Sequence, residues 1–414
     1  MVPSQKYDVI HYLRETFLKG HNDKALVAIT PDYLAALPKG TSRGPAPSAT
    51  DPWRLHDYGP FLAATIEVGR DHGGIVRKGF SVRLDPGGEG IGRGRAFAIH
   101  DLDTLRLAAV WTGDGFIDWE GINFDGRHGA HPHTAGAVQW FQPEGPGWAD
   151  PATGSFDDPR GIGRDGRPFG PIPWARMRSV HHAGDTILLD YRVGDAPILE
   201  TVRLEPVSVA GADGSALPVI TRSFSFGPRS TALSARLAPD SIAAALVAPA
   251  GGRGPITEAR LSPRDGSMVL DIPAGDDCLD LTVALSAGPA AGLALAIDAM
   301  PPVEPAFTGI GQPSRPLWPQ VLETRIERGD DDDPLAVDRL VPPNTNPWNA
   351  QLRLSGLDFL GRDGDTAAVC TWDGDVWRVS GLLDREGLLK WKRIASGLFQ
   401  PLGLKVIGGV CRSA

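Results

Sequence analysis

Two stretches determine how the rest of the chain is interpreted: WTGDGFIDWEGINFDGRHGAHPHT, residues 111–134, and its continuation GPGWADPATGSFDDPRGIGRDGRPFGPIPWARMR, residues 145–178. They contain too many Gly and Pro residues for regular structure, and their Trp residues favour burial over disorder. The segments on either side have the composition of β-strands. We therefore predict an ordered, polar-lined loop on a β-domain, and we expect any activity of the chain to lie there.

Short strand-like segments separated by turn signals surround this loop. Their spacing predicts a mainly β fold, with a β-sandwich-like central domain over residues 53–300. The segment from Ala290 to Met300 is rich in Ala and Leu and fits a strand or a helix. The predicted strands are 61–68, 75–84, 96–99, 105–111, 186–193, 198–204, 219–226, 232–237, 267–272 and 280–286.

Outside the central domain the chain divides into four shorter parts. We predict a helix within residues 1–20, a linker over 21–52, a second Pro-rich and acidic linker over 301–345, and further strands over 346–414. Asp373-Gly374 predicts a hairpin with a type I′ turn. One hairpin with flanking strand is too little for an independently stable sheet.

Composition excludes several classes of protein. The net charge of -9, without a basic run, argues against a nucleic-acid partner. The three cysteines form no CxxC pair and no zinc spacing. No apolar run is long enough for a transmembrane helix, and the first residues lack the pattern of a signal peptide.

Acidic and histidine side chains are dense in the predicted loop. Such groups can bind a divalent metal or perform general acid–base catalysis, or they can satisfy the backbone of a long loop. In an extended His-Pro-His segment the two imidazoles share one side. The candidate catalytic residues are Asp114, Asp118, Asp125 and His128, and the candidate metal ligands are His131, His133 and Asp125.

Aromatic and planar polar side chains in the same loop suggest a sugar site instead. An aromatic face packs on the C–H surface of a sugar ring, and charged or amide groups bind its hydroxyls. The alternative is that the tryptophans form a small core beneath the loop. The candidate substrate-binding residues are Trp111, Trp119, Asn123, Arg127 and Arg160.

Three segments resemble parts of one family of proteins. YDVIHYLRETFLK (7–19) resembles the last helix of a c-type cytochrome domain. The loop motifs of 111–178 resemble an uncharacterised β-domain of large secreted bacterial haem proteins. SGLDFLGRDGDTAAVCTWDGDVWRVSG (355–381), with RIASGLFQPLGLKV (393–406), resembles the start of a sorbosone/glucose-dehydrogenase-like β-propeller.

This resemblance implies a fragment of a periplasmic or secreted protein that oxidises sugar-like substrates. The chain would be its carbohydrate-associated module, docked on a haem domain and on an incomplete propeller, without a complete catalytic centre. Two alternatives are a glycan-active enzyme that uses a metal or an acid–base pair in the 111–182 loop, and a structural spacer between haem domain and propeller. Haem c is expected only in a domain upstream of this chain.

We predict that the purified chain carries no covalent haem, even when it is produced together with haem-attachment machinery. The reason is the absence of CxxCH from the sequence. A Soret absorbance band that survives denaturation would contradict this.

Overall fold

The computed structural model describes residues 55–69, 74–85, 90–113, 115–118, 131–163, 166–183, 186–306, 316–330, 336–407 and 410–413. In this part of the chain the fold is mainly β with one complete α-helix, which confirms the predicted fold class. The predicted N-terminal helix and first linker lie outside the described residues.

The first sheet of the central domain has seven strands. They are β1 (Phe61–Val68), β2 (Gly74–Arg83), β3 (Ala96–Asp101), β4 (Arg106–Thr112), β5 (Ile117–Asp118), β6 (His133–Thr134) and β7 (Ala137–Phe141). Their order is β5-β6-β1-β2-β3-β4-β7, and β1 and β6 pair in parallel. Strands β5 to β7 come from the segment predicted to lack regular structure, so this segment forms both edges of the sheet.

The second and third sheets complete the central domain. The second has the order β13-β16-β11-β10-β9-β8 and the third the order β12-β15-β14. Their strands are β8 (Ala175–Ala183), β9 (Thr186–Val193), β10 (Ala196–Ala210), β11 (Ala216–Phe226), β12 (Leu233–Pro239), β13 (Ala243–Val247), β14 (Arg260–Arg264), β15 (Ser267–Ile272) and β16 (Leu279–Ser286). All ten predicted strands are present; β1, β9 and β15 have the predicted ends, and the other seven have ends shifted by one to six residues.

The ambiguous Ala/Leu-rich segment forms a helix, α1 (Ala290–Asp298). It buries Leu293 and Ala296 against Val209 of β10 and Val219 of β11. This packing accounts for the length of the β10–β11 hairpin, which extends beyond the main core to meet the helix. Within the described residues no helix is both long and apolar enough to cross a membrane.

The main core lies between the sheets of the central domain. Trp148, which is fully buried, is surrounded by Tyr191, Phe224 and Phe226 at ring-centroid distances of 6.1, 6.2 and 6.2 Å. The indole N–H of Trp174 donates to the Trp148 carbonyl at 3.0 Å. Tryptophans of the predicted loop therefore anchor the loop in the core by burial of aromatic surface.

The first sheet is buried on both faces at its centre. Every residue of β3 is buried, and a second core of Ile66, Phe97, Trp111 and Phe116 forms apart from the main one. This explains why residues 96–99 of β3 and 107–111 of β4 are continuously apolar rather than alternating, as expected for strands covered on both sides.

The C-terminal part contains a six-stranded antiparallel sheet and a separate hairpin. The sheet is formed by β17 (Leu322–Glu327), β18 (Arg339–Leu340), β19 (Leu354–Phe359), β20 (Thr366–Thr371), β21 (Val376–Ser380) and β22 (Leu388–Ala395), and the hairpin by β23 (Leu404–Ile407) and β24 (Val410–Ser413). The sheet has the order β18-β17-β22-β21-β20-β19.

Strands β17 and β18 correct the prediction of a linker over 301–345. In β17, Leu322, Thr324 and Ile326 alternate with exposed charged residues, which is the pattern of a half-buried strand. The Pro-rich and acidic sequence on either side obscured this pattern. Residues 346–414 supply four strands of the sheet, β19 to β22, rather than one hairpin with flanking strand, and β17 and β18 extend the sheet to six strands.

The hairpin between β20 and β21 is present, but its turn is not of type I′. Gly374 has a positive φ of 102° and Asp373 does not. The Gly374 N–H donates to the Thr371 carbonyl at 3.0 Å, and the Thr371 N–H to the Asp375 carbonyl at 2.9 Å. These bonds define a three-residue loop that ends in glycine, another common hairpin connection.

Residues 55–63 connect the central domain to the C-terminal sheet. The Asp57 N–H donates to the Trp348 carbonyl at 2.9 Å, and the Ala63 N–H to the Gly397 carbonyl at 2.7 Å. Gly397 has a φ of 76°, and a Cβ there would lie 2.1 Å from the Phe61 carbonyl oxygen. A glycine is therefore required where the two parts meet.

A polar cluster is buried between the sheets of the central domain. The Tyr191 hydroxyl donates to Glu200 at 2.7 Å, and Arg222 Nε donates to the same carboxylate at 2.9 Å. His100 is buried nearby, and burial lowers its pKa to about 4, with Glu200 opposing and Arg222 reinforcing the shift. His100 is thus neutral in the folded protein at neutral pH.

We predict that His100 makes the central domain acid-sensitive. An unfolded histidine gains its proton near pH 6.5, whereas folded His100 gains it near pH 4. The unfolded state therefore binds more protons in this window, and the free energy of unfolding falls by roughly 3 kcal/mol as the pH drops through it. Urea unfolding across the window should show this slope in wild type and lose it in His100→Gln. His181→Gln is the control, and an unchanged slope in His100→Gln would contradict the assignment.

Candidate functional site

Strand β6 brings two predicted site residues together at one edge of the first sheet. His133 pairs with Asp118 of β5 on one side and with Glu67 of β1 on the other. Its Nδ1 lies 2.9 Å from the Gly69 carbonyl oxygen, and because that oxygen can only accept, Nδ1 is the protonated nitrogen. Cross-strand neighbours share a face of a sheet, so Glu67, which the sequence did not single out, joins this group.

The predicted metal site is only partly within the described residues. Glu67 Oε2 lies 3.8 Å from His133 Nδ1. His131 is exposed over part of its surface, and the burial of the remainder is the main cause that lowers the pKa of its imidazole. In the described ranges no three His, Cys, Asp or Glu side chains are grouped so as to hold a metal ion. The third predicted ligand, Asp125, lies outside them, so the metal site stays a prediction.

Several other predicted site residues cannot be placed. They belong to segments that the structure does not describe. These residues are Asp114, Trp119, Asn123, Asp125, Arg127 and His128.

Trp111 offers no surface to a ligand in this structure. It is fully buried and stacks on Phe97 and Phe116 at centroid distances of 5.3 and 5.9 Å. Its indole N–H donates to the Phe116 carbonyl at 3.0 Å. The alternative interpretation, a core beneath the loop, describes the position of this tryptophan.

Arg160 holds the 158–170 segment in place. Its Nε and Nη2 donate to the two Asp158 carboxylate oxygens at 2.8 and 2.7 Å, and its Nη1 donates to the Gly170 carbonyl at 3.2 Å. Burial alone would raise the pKa of Asp158, but hydrogen bonds from Arg160 hold it below its ordinary value. The Arg160 guanidinium therefore donates its hydrogen bonds within the loop. It has no open face for the predicted role in substrate binding.

A different pocket lies where the central domain meets the C-terminal sheet. We call it the junction pocket; its volume is about 360 Å³. It runs beside β22 beyond Trp391, the last residue of that strand to pair with β17. Its lining residues are Pro60, Phe61, His182, Pro316, Leu317, Trp318, Lys392, Arg393, Ile394, Ala395 and Ser396.

Arg393 is the centre of a buried network behind this pocket. Its Nη2, which carries two hydrogens, lies 2.7 Å from Asp375 Oδ1, 2.6 Å from Ser396 Oγ and 3.1 Å from His56 Nε2. The guanidinium carbon lies 4.7 Å from the ring centroid of Trp318 and 5.5 Å from that of Trp348. Indole rings thus cover the guanidinium, the Asp375 carboxylate neutralises its charge, and Nε and Nη2 have acceptors within the network.

The network shifts the acid–base properties of its members. Burial alone would raise the pKa of Asp375, but hydrogen bonding from His56 and the charge of Arg393 hold it below its ordinary value. Burial, reinforced by Asp373 and Asp375, raises the pKa of Tyr58, which stacks on His56 at 4.3 Å. Two polar atoms, Arg393 Nη1 and Asp375 Oδ2, are buried without a hydrogen-bond partner.

The sequence did not reveal this pocket because its parts are distant along the chain. His56 and Arg393 are 337 positions apart. Arg393 begins the motif RIASGLFQPLGLKV, which carries part of the resemblance to a propeller but no charge pattern typical of a site. The one sequence signal for this buried network was Arg393 within the alternating pattern of a strand, because an arginine is rarely buried unless it is paired.

We predict that Asp375→Asn strongly destabilises the protein. The substitution leaves Arg393 buried without its counter-charge, which costs roughly 3–5 kcal/mol of unfolding free energy. The control is Glu327→Gln, which breaks the exposed pair with Arg339 and should leave the unfolding midpoint close to that of wild type. Chemical denaturation measures both, and equal effects would show that the buried network does not stabilise the fold.

Comparison with known protein families finds a similarity within the central domain. The model of a domain of unknown function (DUF6797) matches residues 98–200, which run from β3 into β10 and include Arg160 and His182. No curated protein matches the chain. The central β-region is thus similar to an uncharacterised domain, and the match ends before the C-terminal sheet.

Proposed function

We propose that this chain binds a small carbohydrate in the junction pocket, as the carbohydrate-associated module of a periplasmic sugar-dehydrogenase-type protein. The supporting observation is a single pocket in which aromatic and hydrogen-bonding side chains from both parts of the chain converge. Its volume of about 360 Å³ suits a small ligand rather than a long chain.

The apolar wall of the pocket fits the C–H face of a sugar ring. Trp318 and Phe61 supply aromatic surface, with Pro316 and Leu317 beside them. Arg393 packs on the Trp318 ring and so fixes the indole before any ligand arrives. A rigid aromatic surface loses little entropy on binding, which favours affinity for a small ligand.

The polar wall supplies donors for hydroxyl oxygens. Lys392 carries an ammonium whose N–H groups can only donate, and His182 adds an imidazole. Pockets of this kind, mostly apolar with a few convergent polar groups, occur preferentially where two domains meet. The junction therefore has the composition expected of a small-molecule site.

The cellular setting of the proposal comes from the resemblance. In the full-length protein this module would lie in the periplasm or be secreted, next to a haem domain and a complete propeller. Haem would belong to the neighbouring domain, and oxidation of the sugar would take place outside this chain.

A second candidate function is that of a spacer, and one observation favours it. The His56–Asp375–Arg393 network and the backbone bonds of residues 55–63 join the central domain firmly to the C-terminal sheet. A rigid connection of this kind would hold neighbouring domains at a constant distance. The further alternative of a glycan-active enzyme depends on the acids and histidines of the 111–182 loop and stays a prediction.

We predict that Trp318→Phe weakens sugar binding while the protein remains folded. Phe retains an apolar ring but offers less surface, so affinity should fall roughly tenfold or less, and Trp318→Ala should lose more. The matched control is Trp372→Phe, because Trp372 is 44% exposed and does not line the pocket. Calorimetric titration with a panel of neutral and acidic monosaccharides and disaccharides measures the effect.

Circular dichroism and unfolding midpoints would show that each variant is folded. If no sugar of the panel produces binding heat or raises the unfolding temperature of the wild-type chain, the carbohydrate proposal is overturned and the spacer is favoured. An equal loss of affinity in Trp318→Phe and Trp372→Phe would place the binding site elsewhere.

A further inference from the structure

We propose that one face of the C-terminal sheet binds a linear polyuronate, a chain of sugar rings that each bear one carboxylate. The surface consists of four basic side chains, which we call the basic track: Arg325 on β17, Lys390 and Lys392 on β22, and Arg378 on β21. Only Lys392 also lines the junction pocket, and binding on the track does not depend on a ligand in that pocket.

Strand pairing places the basic track on one face of the sheet. Arg378 is directly opposite Lys392, and Lys390 is two residues along the same strand. Arg325 pairs with Leu388, the next residue of β22 on that face after Lys390. Alternation along each strand puts these side chains opposite the face that forms the C-terminal core, and all of the track except half-buried Lys392 is exposed.

The basic track is not neutralised by the part of the chain that the structure describes. None of its four side chains forms an ion pair or a side-chain hydrogen bond there. Like charges that lie directly opposite each other destabilise a sheet, as Arg378 and Lys392 do here. In a chain with a net charge of -9, such a group of cations is the surface to which a polyanion is attracted.

Acidic side chains on the same face leave this charge in excess. In the strands of this sheet they are Glu323, Glu327 and Asp358. Glu327 pairs with Arg339 at 2.6 Å, and Asp358 pairs with Lys405 at 3.0 Å. Glu323 is therefore the one carboxylate of this face, within the described strands, that is left to oppose the four cations of the track.

The basic track is narrow and linear. With strands about 4.8 Å apart and a rise of about 3.3 Å per residue, its cations follow one another at roughly 5 to 8 Å along a diagonal of roughly 16 Å. Successive carboxylates of a polyuronate are one sugar ring apart, which is comparable to the strand spacing, so about four rings span the track. Half-buried Leu388 lies between Lys390 and Arg325 and offers C–H surface to a ring.

A narrow chain fits this surface better than other polyanions do. A bilayer or a nucleic-acid duplex presents an extended anionic surface, which the net charge of -9 repels. Single-stranded nucleic acid requires aromatic side chains on which its bases stack, and the track has none. An acidic protein requires an apolar interface core, whereas Leu388 is the one apolar side chain between the cations of the track.

The test measures binding of fluorescently labelled tetragalacturonate to the full chain by anisotropy. At low salt it should bind roughly tenfold or more tightly than its methyl ester, which has the same rings without charge. The difference should shrink as salt is added, because the track is exposed and its charges are screened.

Four variants locate the binding surface. Arg378→Gln and Lys390→Gln should each lower the affinity for tetragalacturonate by roughly two- to fivefold, and the double variant by roughly tenfold or more. Glu323→Gln should raise the affinity, because it removes the unpaired carboxylate from this face. The matched control is Arg260→Gln, which changes an exposed arginine on β14 of the central domain and should have no effect. All four side chains are exposed, so the unfolding midpoints should stay close to that of wild type.

Several outcomes would overturn this proposal. Equal affinity for tetragalacturonate and its methyl ester would show that charge contributes nothing, and equal losses in Arg260→Gln and Arg378→Gln would place the site elsewhere. Poly-aspartate or phosphatidylglycerol vesicles that bind more tightly than tetragalacturonate, and lose binding in the double variant, would replace the polyuronate as occupant. Trp318→Phe should leave the affinity for tetragalacturonate unchanged, and a loss there that the double variant does not show would place the chain in the junction pocket instead.

Discussion

The buried guanidinium of Arg393 holds the two parts of the described chain together. It belongs to the C-terminal sheet, yet it hydrogen-bonds His56 from the segment that leads into the central domain. Asp375 supplies its counter-charge, and both side chains are sealed from solvent. A buried charge is tolerated only while its partners stay in place, so any movement of either part would leave the other with an uncompensated charge.

The same constraint forms the pocket. Strand β17 pairs with β22 only as far as Trp391, and the residues of β22 beyond that point border open space instead of a neighbouring strand. Trp318 packs over Arg393 across this gap, and Phe61 reaches it from the central domain. The pocket therefore lies where two β-structures are joined by the buried network and by the backbone hydrogen bonds of residues 55–63.

In the central domain, burial of aromatic rings takes the place of regular structure. Trp111 and Trp148 insert into two different cores, and Arg160 with Asp158 holds the segment that follows Trp148. A Cβ on Gly147, next to Trp148, would lie 2.4 Å from the Leu105 carbonyl oxygen, so the loop also depends on a residue without a side chain. Residues 145–163 and 166–174 are thus held by a few large side chains rather than by a long hydrogen-bonded ladder.

The sequence by itself determined the mainly β class, the ten strands of the central domain and the anchoring of its loop, because these depend on alternation, turn residues and aromatic content within short segments. It did not determine which face of the sheet Trp111 would occupy, that Leu322 and Ile326 would form an additional strand, or that Glu67 would lie beside His133. Those depend on pairing between distant segments. The junction pocket is the clearest case: His56 and Arg393 are 337 positions apart, and only the folded chain brings a charge, its counter-charge and an aromatic wall to one place.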